Sequence, residues 1–479
     1  MPDPDPASPP ITVAIVTLGC GRNEVDSENA AGLLTASGYR VVADPERADA
    51  VVINTCAFVE AAKRESIDTV LDATALKEQG RARTVLVTGC LAERYTEELR
   101  AELPEADAIV PFSDYGRLPQ LLGGGSQPEA RFIGGATSAP PVPSGTSPGL
   151  PTLVPPGRRA LPMVFPTPVG AAFPARAPAR GPVALVKLAE GCDRDCSFCA
   201  IPSFRGRFRS RRPTEVLDEV AWLAGQGVSE VCLVAENSTS YGKDLGGREA
   251  LIHLLRDLAA VEGLRRVRLN YLQPDELTPG LLEEMAANPV VCSYFDLSLQ
   301  HASASVLRRM RRGGSAQSFL DLVTRLRTLD PDAAFRSNFI LGFPGETPAD
   351  VRELEEFLEA ARLDWVAFFA WSPEDGTAAL DLDGRIPEAT ARARVERVQE
   401  LQDRALAGAQ EAWVGRRLEV LVERVEDDGA AEGRSHREAP ESDGVVRVEG
   451  AAGQVRVGEY VPVEVTAAQG PELLARLAG

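Results

Sequence analysis

The sequence is poor in histidine and has no long apolar run. Only three of its 479 residues are histidine, and all three, His253, His301 and His436, are distant in sequence from the cysteine-rich stretch at residues 192–199. A structural zinc site, which takes four cysteine or histidine ligands, is therefore a weak alternative for that stretch. Because no apolar run approaches the roughly 18 residues that a transmembrane helix needs, we predict no association with a membrane.

The beginning of the chain lacks the marks of a secretory signal. The first ten residues, MPDPDPASPP, contain no basic region, apolar stretch or small-residue cleavage site. We expect residues 1–10 to be a disordered tail and the protein to be cytoplasmic. In that compartment the eight cysteines are expected to be reduced and to bind metal or take part in catalysis.

The chain is also short of positive charge. It has 51 lysines and arginines against 70 aspartates and glutamates, a formal net charge of −19. This balance argues against general affinity for nucleic acid, because phosphate contacts need clustered basic side chains. A basic protein partner is easier to accommodate, although acidity that only maintains solubility is an equal alternative.

The pattern of apolar runs divides the chain into segments. Over residues 11–122, short runs such as "AVVINT" and "RTVLVTG" alternate with amphipathic stretches, which predicts an α/β domain with a parallel sheet. Residues 123–180 are rich in Pro, Gly, Ala and Ser and are predicted to be a linker. Six strand–helix units over residues 181–412 predict an incomplete TIM-like (βα)6 barrel with a trailing helix. Residues 413–479 predict a small antiparallel β-barrel.

Three cysteines follow the first predicted strand of the central barrel. Cys192, Cys196 and Cys199 have CxxxCxxC spacing and lie in a loop at the carboxyl edge of the barrel strands, where active sites of such barrels are found. Three thiolates on a four-iron, four-sulfur cluster leave one iron without a protein ligand, free to take a bidentate small molecule. The spacing therefore favours a cluster with an open coordination site over zinc.

This motif, with the aromatic residue Phe198 before the last cysteine, resembles that of the radical S-adenosylmethionine enzymes. The resemblance implies that the open iron binds S-adenosylmethionine and that the reduced cluster cleaves it to a 5′-deoxyadenosyl radical, while the barrel orients the substrate and excludes water. It also implies candidate cofactor or substrate contacts after the later strands. These candidates are Phe198, Glu236, Asn237, Gln300, Arg336, Gly342, Pro344, Gly345 and Glu346. Turn geometry is an equal alternative for Gly342, Pro344 and Gly345.

A second set of three cysteines lies in the N-terminal segment. Cys20, Cys56 and Cys90 each end a predicted strand, at spacings of 36 and 34 residues, which is about one βαβ repeat. All three should therefore meet at the carboxyl edge of one parallel sheet. We predict a second cluster with an open iron here. The remaining pair, Cys232 and Cys292, lies in barrel strands and is expected in the core.

The two cysteine sets together resemble the methylthiotransferases, a radical-enzyme subfamily with an N-terminal cluster domain, a radical barrel and a C-terminal TRAM barrel. Within it, "LGCGRNEVDSE" and "GRSHREAPESDGVV" are similar to the branch that methylthiolates the β-carbon of an aspartate in the twelfth protein of the small ribosomal subunit. The resemblance implies two 4Fe–4S clusters, S-adenosylmethionine, an electron donor such as flavodoxin or ferredoxin, and a sulfur donor. It also implies that the C-terminal barrel presents the target loop.

Two alternatives stay open. The first is a transfer-RNA adenosine 2-methylthiotransferase, since related enzymes use their C-terminal barrel to bind RNA. Against it, residues 413–479 hold eight arginines and no lysine against thirteen acidic residues, a charge that repels phosphate. In its favour, "FRGRFRSRRP" packs five arginines after the radical motif, though these could equally pair with barrel carboxylates or with the cofactor. The second alternative is a non-enzymatic iron–sulfur carrier.

Overall fold

A computed structural model describes residues 10–123, 176–177, 179, 181–440 and 442–478. The predicted tail at residues 1–10 and the predicted linker at residues 123–180 lie almost wholly outside this part. The described chain forms two compact units. Within it, no helix is both long and apolar enough to cross a membrane.

The first unit contains the N-terminal α/β domain, together with Gly191–Asp193 and Ile201–Arg207 from farther along the chain. Its strands are β1 (Thr12–Thr17), β2 (Arg40–Val42), β3 (Ala50–Thr55), β4 (Thr84–Gly89) and β5 (Ala108–Ile109). Its helices are α1 (Gly21–Ala36), α2 (Glu60–Gln79), α3 (Cys90–Arg94), α4 (Thr96–Glu102), α5 (Leu118–Leu121) and α6 (Ile201–Phe204).

All pairs in this sheet are parallel, in the order β2-β1-β3-β4-β5. The central strand β3 is buried along its whole length, as expected when a parallel sheet is covered on both faces. The predicted parallel α/β domain is therefore confirmed. Because β1, β3 and β4 are neighbours, the residues that follow them share one edge of the sheet.

The second unit begins with the predicted central barrel. Its strands are β6 (Val183–Lys187), β7 (Ala189–Glu190), β8 (Arg209–Ser210), β9 (Glu230–Val234), β10 (Arg266–Leu269), β11 (Tyr294–Gln300), β12 (Ala334–Leu341) and β13 (Trp365–Ala370). Its helices are α7 (Pro213–Ala224), α8 (Ala250–Leu258), α9 (Pro279–Ala287), α10 (Ala304–Arg309), α11 (Ala316–Leu329), α12 (Pro348–Ala361) and α13 (Glu388–Glu411).

Six of these strands form the incomplete barrel. β6, β9 and β10 pair in parallel, as do β11, β12 and β13. Parallel bridges from Val267 to Val291 and from Leu272 to Leu297 join β10 to the second group of strands. β7 and β8 form a separate two-stranded pair. The predicted six-stranded, incomplete barrel is thus confirmed, with one continuous apolar core between strands and helices.

The second unit ends in a closed five-stranded barrel. Its strands are β14 (Arg417–Val425), β15 (Ala431–Arg434), β16 (Val446–Glu449), β17 (Tyr460–Gln469) and β18 (Glu472–Leu477), and it has its own apolar core. Four of its five strand pairs are antiparallel, as predicted, but β16 and β18 are parallel. Closure requires this pairing, because β18 must fill the space between β17 and β16.

The C-terminal barrel packs on residues that lie just before the central strands begin. The Tyr460 hydroxyl donates to the carbonyl of Ser229, before β9, at 3.3 Å. Arg416 pairs with Asp332, before β12, at 2.7 Å. The C-terminal barrel therefore covers the amino edge of the central strands. The cysteine loop follows β6 at the opposite, carboxyl edge. The predicted role of the C-terminal barrel in presenting the target loop stays a prediction.

Candidate active site

The three N-terminal cysteines come together at the carboxyl edge of the first sheet. Cys20 follows β1, Cys56 directly follows β3, and Cys90 is the first residue of α3 after β4. Beside the larger effect of burial, the charge of Cys20 raises the pKa of Cys56, and the charges of Cys20 and Cys56 raise the pKa of Cys90. All three cysteines therefore follow neighbouring strands at this edge of the sheet, as the repeat spacing predicted. Their role as ligands of one cluster stays a prediction.

Two glycines allow the chain to approach this closely. Gly19 has φ +93°, and a Cβ placed on it would lie 2.8 Å from Cys56 Sγ. Gly89 also has φ +93°, and its added Cβ would lie 2.4 Å from Asn54 Oδ1. Only glycine fits such a left-handed, crowded position without displacing its neighbours. The Gly-Cys pairs therefore serve the geometry of the thiols.

The thiols differ in their electrostatic surroundings. Burial raises the pKa of Cys90 to about 12 and is also the main cause of the raised pKa of Cys56. For Cys20, burial acts in the same direction, but the positive charges of Arg22 and Arg205 and nearby backbone amides outweigh it and lower the pKa. Cys20 is thus the thiol most readily converted to a thiolate ligand.

A buried arginine contacts this cysteine set. One guanidinium nitrogen of Arg205 lies 3.2 Å from Cys90 Sγ, 2.7 Å from Asn23 Oδ1 and 3.1 Å from Asp26 Oδ2. The Asn23 amide in turn donates to the carbonyls of Leu18 at 2.8 Å and of Thr55 at 3.0 Å. The sequence offered a signal for Arg205, since it belongs to the arginine-rich stretch, but gave no indication of its partner.

The radical motif is a loop held by backbone and arginine contacts. Gly191 has φ +73°, and a Cβ there would lie 2.3 Å from the carbonyl oxygen of Arg207. The Ser197 amide and hydroxyl donate to the carbonyls of Met310 at 3.1 Å and of Arg309 at 2.8 Å. The largely buried Arg312 places a guanidinium nitrogen 3.7 Å from Cys196 Sγ. The segment after α10 therefore fixes the cysteine loop, which the sequence interpretation missed.

A polar cluster centred on Glu276 lies beside this loop. Arg194, from the motif itself, donates to Glu276 at 2.6 Å, the Asn237 amide donates at 2.9 Å and the Ser240 hydroxyl at 2.6 Å. Lys243 also pairs with Glu276. Burial alone would raise the pKa of Glu276, but the hydrogen bonds from Lys243 and its other partners lower it to about 2. Glu276 is therefore ionised, and it orders the candidate Asn237.

The turn over residues 342–346 is held from within. The Gly342 amide donates to the Glu346 carboxylate at 2.9 Å, and Arg309 Nε donates to the Pro344 carbonyl at 2.7 Å. Gly342 and Gly345 have φ +74° and +86°. The buried Glu346 also pairs with Arg394 and lies 3.5 Å from His301 Nε2. These contacts favour the interpretation that both glycines are needed for the shape of the turn. Glu346 binds residues of the protein itself.

The other candidate residues occupy different places. Half-buried Phe198 packs edge to face on Phe343, with ring centroids 6.5 Å apart. Gln300 ends β11 with φ +71°, a strained conformation for a residue with a side chain. Glu236 lies in the turn after β9. Arg336 donates to the Ser442 hydroxyl at 2.9 Å, on the side of the C-terminal barrel. Their roles as cofactor contacts stay predictions.

The donor chemistry of both cysteine sets fits iron–sulfur clusters. In the described residues, no group of three or more His, Cys, Asp or Glu side chains could hold one metal ion. Each thiolate of a four-iron cluster bonds a different iron atom, so the three sulfurs need not converge on one point. Cys232 in β9 and Cys292 are both buried, as predicted, but Cys292 lies just before β11 rather than within a strand.

Comparison with known families assigns each part of the chain. Residues 12–111 match the Uncharacterized protein family UPF0004, residues 186–358 the Radical SAM superfamily and residues 414–477 the TRAM domain. Among solved structures, the radical S-adenosylmethionine methyltransferase TsrM from Kitasatospora setae aligns with 75% of this chain and 72% of its own, at 16% identity and a TM-score of 0.49.

Full-length relatives decide the family. The ribosomal protein uS12 methylthiotransferase RimO of Nocardioides sp. is 49% identical over 99% of this chain and 98% of its own. That of Streptomyces avermitilis is 48% identical over 97% of this chain and 96% of its own. The chain belongs to the RimO family. As a RimO-family protein it is a radical S-adenosylmethionine methylthiotransferase, whose cofactors are 4Fe–4S clusters and S-adenosylmethionine, and the carrier alternative is wrong.

Proposed function

We propose that this RimO-family enzyme adds a methylthio group to the β-carbon of an aspartate in ribosomal protein uS12. The observation that carries the proposal is identity of nearly one half, over nearly the whole chain, to relatives named ribosomal protein uS12 methylthiotransferases. The relatives favour this substrate over transfer RNA, because their names give ribosomal protein uS12 as the protein that they modify.

The residues that would hold the two clusters are the two cysteine sets. Cys192, Cys196 and Cys199 would hold the cluster that binds S-adenosylmethionine, and Cys20, Cys56 and Cys90 the second cluster. When bound, these groups supply reductive cleavage of S-adenosylmethionine and a site for the transferred sulfur. The protein contributes the placement of the thiols: Gly19, Gly89 and Gly191 permit close backbone approach, and Arg312 holds the loop of Cys196.

The charges of the C-terminal barrel support a protein substrate. Two of its eight arginines, Arg434 and Arg437, are buried. Arg434 pairs with Glu230 at 3.0 Å and Arg437 with Asp364 at 2.8 Å, both within the protein. The basic side chains left to meet phosphate are fewer than the sequence suggests, so a basic ribosomal protein fits this acidic surface better than RNA does.

The proposal also includes an electron donor, a cellular location and the boundaries of the domains. We assign electron supply to a flavodoxin or ferredoxin and assign no sulfur donor. The reaction on a ribosomal protein would take place in the cytoplasm. The boundaries at residues 122, 180 and 412 follow the changes in composition and the ends of the predicted elements.

Mass spectrometry of uS12 tests the substrate. In cells that lack this gene, uS12 should lose the mass of one methylthio group on aspartate, and a plasmid copy should restore it. An unchanged uS12, with a methylthio-adenosine missing from transfer RNA instead, would contradict the proposal and establish the alternative substrate.

Cysteine variants test the ligand assignment. Cys20→Ala should stop methylthiolation yet leave some cleavage of S-adenosylmethionine to 5′-deoxyadenosine, because the radical cluster stays intact. Cys196→Ala should abolish both reactions. Iron content and product formation are measured together, with Cys232→Ala as the matched control at a buried cysteine outside both sets. Product formation by the Cys20 variant would rule out the assigned role.

A further inference from the structure

Arg205 is the buried cation that contacts the second cysteine set. Its side chain is 4% exposed, and its guanidinium lies 4.7 Å from the centre of the Phe112 ring. Together with Asn23 and Asp26, this ring holds the guanidinium on several sides. A long cationic side chain fixed in this way has lost its freedom to find another partner. The surrounding residues therefore hold the guanidinium in place at 3.2 Å from Cys90 Sγ.

The negative charge expected at the second cysteine set explains why a contact with a cation would affect a bound cluster. Three thiolates and a sulfur-bearing ligand would make a bound cluster rich in negative charge, and addition of an electron increases that charge. A hydrogen bond from a charged donor to a ligand sulfur stabilises the electron-rich form, because it withdraws electron density from the sulfur. Side chains that bind the ligands of a metal site adjust its properties in this manner.

Arg205 also occupies a particular place in the sequence. It is the sixth residue after Cys199, the last cysteine of the radical motif. The segment that carries it, Ile201–Arg207, packs as part of the N-terminal unit. The segment that follows the radical motif therefore carries the residue that contacts Cys90.

We infer that Arg205 is a positioning residue that raises the reduction potential of the second cluster through its hydrogen bond to Cys90. The inference rests on the proposed assignment of Cys20, Cys56 and Cys90 as cluster ligands. Asp26 opposes this effect, because its carboxylate lies 3.1 Å from the same guanidinium nitrogen and partly neutralises it. The two side chains therefore act on the cluster with opposite signs.

The test uses full-length protein in which Cys192, Cys196 and Cys199 are replaced by Ala, so that only the second cluster is present. Redox titration followed by electron paramagnetic resonance gives its midpoint potential, and iron and sulfide analysis gives its occupancy. Arg205→Gln should shift the midpoint to lower potential, with the reduced-to-oxidised ratio at fixed potential falling by a factor on the order of three to ten. Arg205→Lys should retain most of the original value.

Two further variants separate charge from structure. Asp26→Asn should shift the midpoint to higher potential, the opposite direction. Arg207→Gln, an exposed arginine of the same segment, should leave the midpoint unchanged. A wild-type midpoint in Arg205→Gln at full cluster occupancy would overturn the inference. If Arg205→Gln loses its cluster, Asp26→Asn decides, since an unchanged midpoint there would overturn it as well.

The starting protein distinguishes this inference from the ligand assignment on which it depends. If the variant without Cys192, Cys196 and Cys199 binds no iron–sulfur cluster, the assignment of the second set fails. If it binds a cluster whose midpoint does not respond to Arg205→Gln, the assignment stands and only the role of Arg205 is rejected.

Discussion

At the scale of single residues, two glycines before cysteines allow the chain to pack closely at the carboxyl edge of the first sheet. Gly19 and Gly89 precede Cys20 and Cys90, and both have a left-handed backbone with a neighbour too close for any Cβ. The sequence shows the Gly-Cys pairs, yet the crowding comes from Asn54 and Cys56 on the adjacent strand. The glycine in each Gly-Cys pair is therefore required both by its own backbone conformation and by a neighbouring residue that leaves no room for a Cβ atom.

Gly342 offers a direct test of such crowding. It has φ +74°, and an added Cβ would lie 2.3 Å from Ala391 Cβ in α13. We expect Gly342→Ala to lower the free energy of unfolding by about 2–4 kcal/mol, from backbone strain and overpacking together. Gly376→Ala is the matched control, since Gly376 has φ +73° with nothing within 4 Å, and should cost about 1 kcal/mol. Denaturant unfolding measures both free energies. If Gly342→Ala and Gly376→Ala lower the free energy of unfolding equally, the residues around Gly342 move to make room for the methyl group and the expectation is wrong.

At the scale of elements, the loop between β15 and β16 connects the C-terminal barrel to the central one. The buried Arg434, the last residue of β15, pairs with Glu230, the first residue of β9. The Arg437 carbonyl accepts from Trp365 Nε1 at 2.6 Å, at the first residue of β13. The motif "GRSHREAPESDGVV" that indicated the family therefore fills the amino end of the central barrel. Its buried arginines pair with carboxylates at the start of the central strands.

Asp443 in this loop predicts a pH-dependent stability. Its side chain is fully buried, and burial raises its pKa to about 6 despite nearby Arg336 and a hydrogen bond from Tyr294. Because the folded-state pKa lies above the unfolded value of about 3.9, the folded state holds this proton more tightly. Stability from this group is present below about pH 4 and is lost as the pH rises through about 6.

Replacement by an amide removes that ionisation. We expect Asp443→Asn to raise the free energy of unfolding at pH 7.5 by about 1–3 kcal/mol and to change it little at pH 4. The exposed Asp427→Asn in the same barrel is the control and should have no comparable effect. Thermal unfolding at the two pH values measures the difference. The same gain at both pH values would show that ionisation of Asp443 is not its cause.

At the scale of the whole molecule, charge and the position of the C-terminal barrel limit what the enzyme can bind. The chain carries −19 overall, and its C-terminal barrel covers the amino edge of the central strands, away from the cysteine loop. Recognition of a basic protein by distributed acidic side chains is the interaction that this arrangement favours.

Binding measurements examine this preference. We expect the holoenzyme to bind uS12 at least tenfold more tightly than transfer RNA at low salt, and the uS12 affinity to fall as salt screens the opposite charges. Fluorescence anisotropy at two ionic strengths gives both results. An unrelated acidic protein of similar size serves as the control for non-specific attraction. Transfer RNA binding as tight as that of uS12 would contradict the charge argument.

The sequence by itself determined the three-part architecture and both cysteine sets. Strand periodicity fixes which segments form sheets, and the repeat spacing of Cys20, Cys56 and Cys90 places them at one edge, since parallel strands share their direction. The C-terminal barrel was less predictable, because the sequence did not predict β15 or β18 as strands. The parallel pairing of β16 with β18 depends on closure of the barrel and not on the sequence of either strand.

Only the tertiary structure decided which charges meet. Arg205 and Arg211 come from one arginine run, yet Arg205 contacts Asn23 and Cys90, whereas Arg211 pairs with Glu219. Likewise, the polar cluster centred on Glu276 joins residues that are far apart in the chain. The same holds for the contacts between the C-terminal barrel and the amino edge of the central strands. Periodicity is a property of neighbouring residues, whereas an ion pair depends on where distant segments fold, and a count of charges carries no information about that.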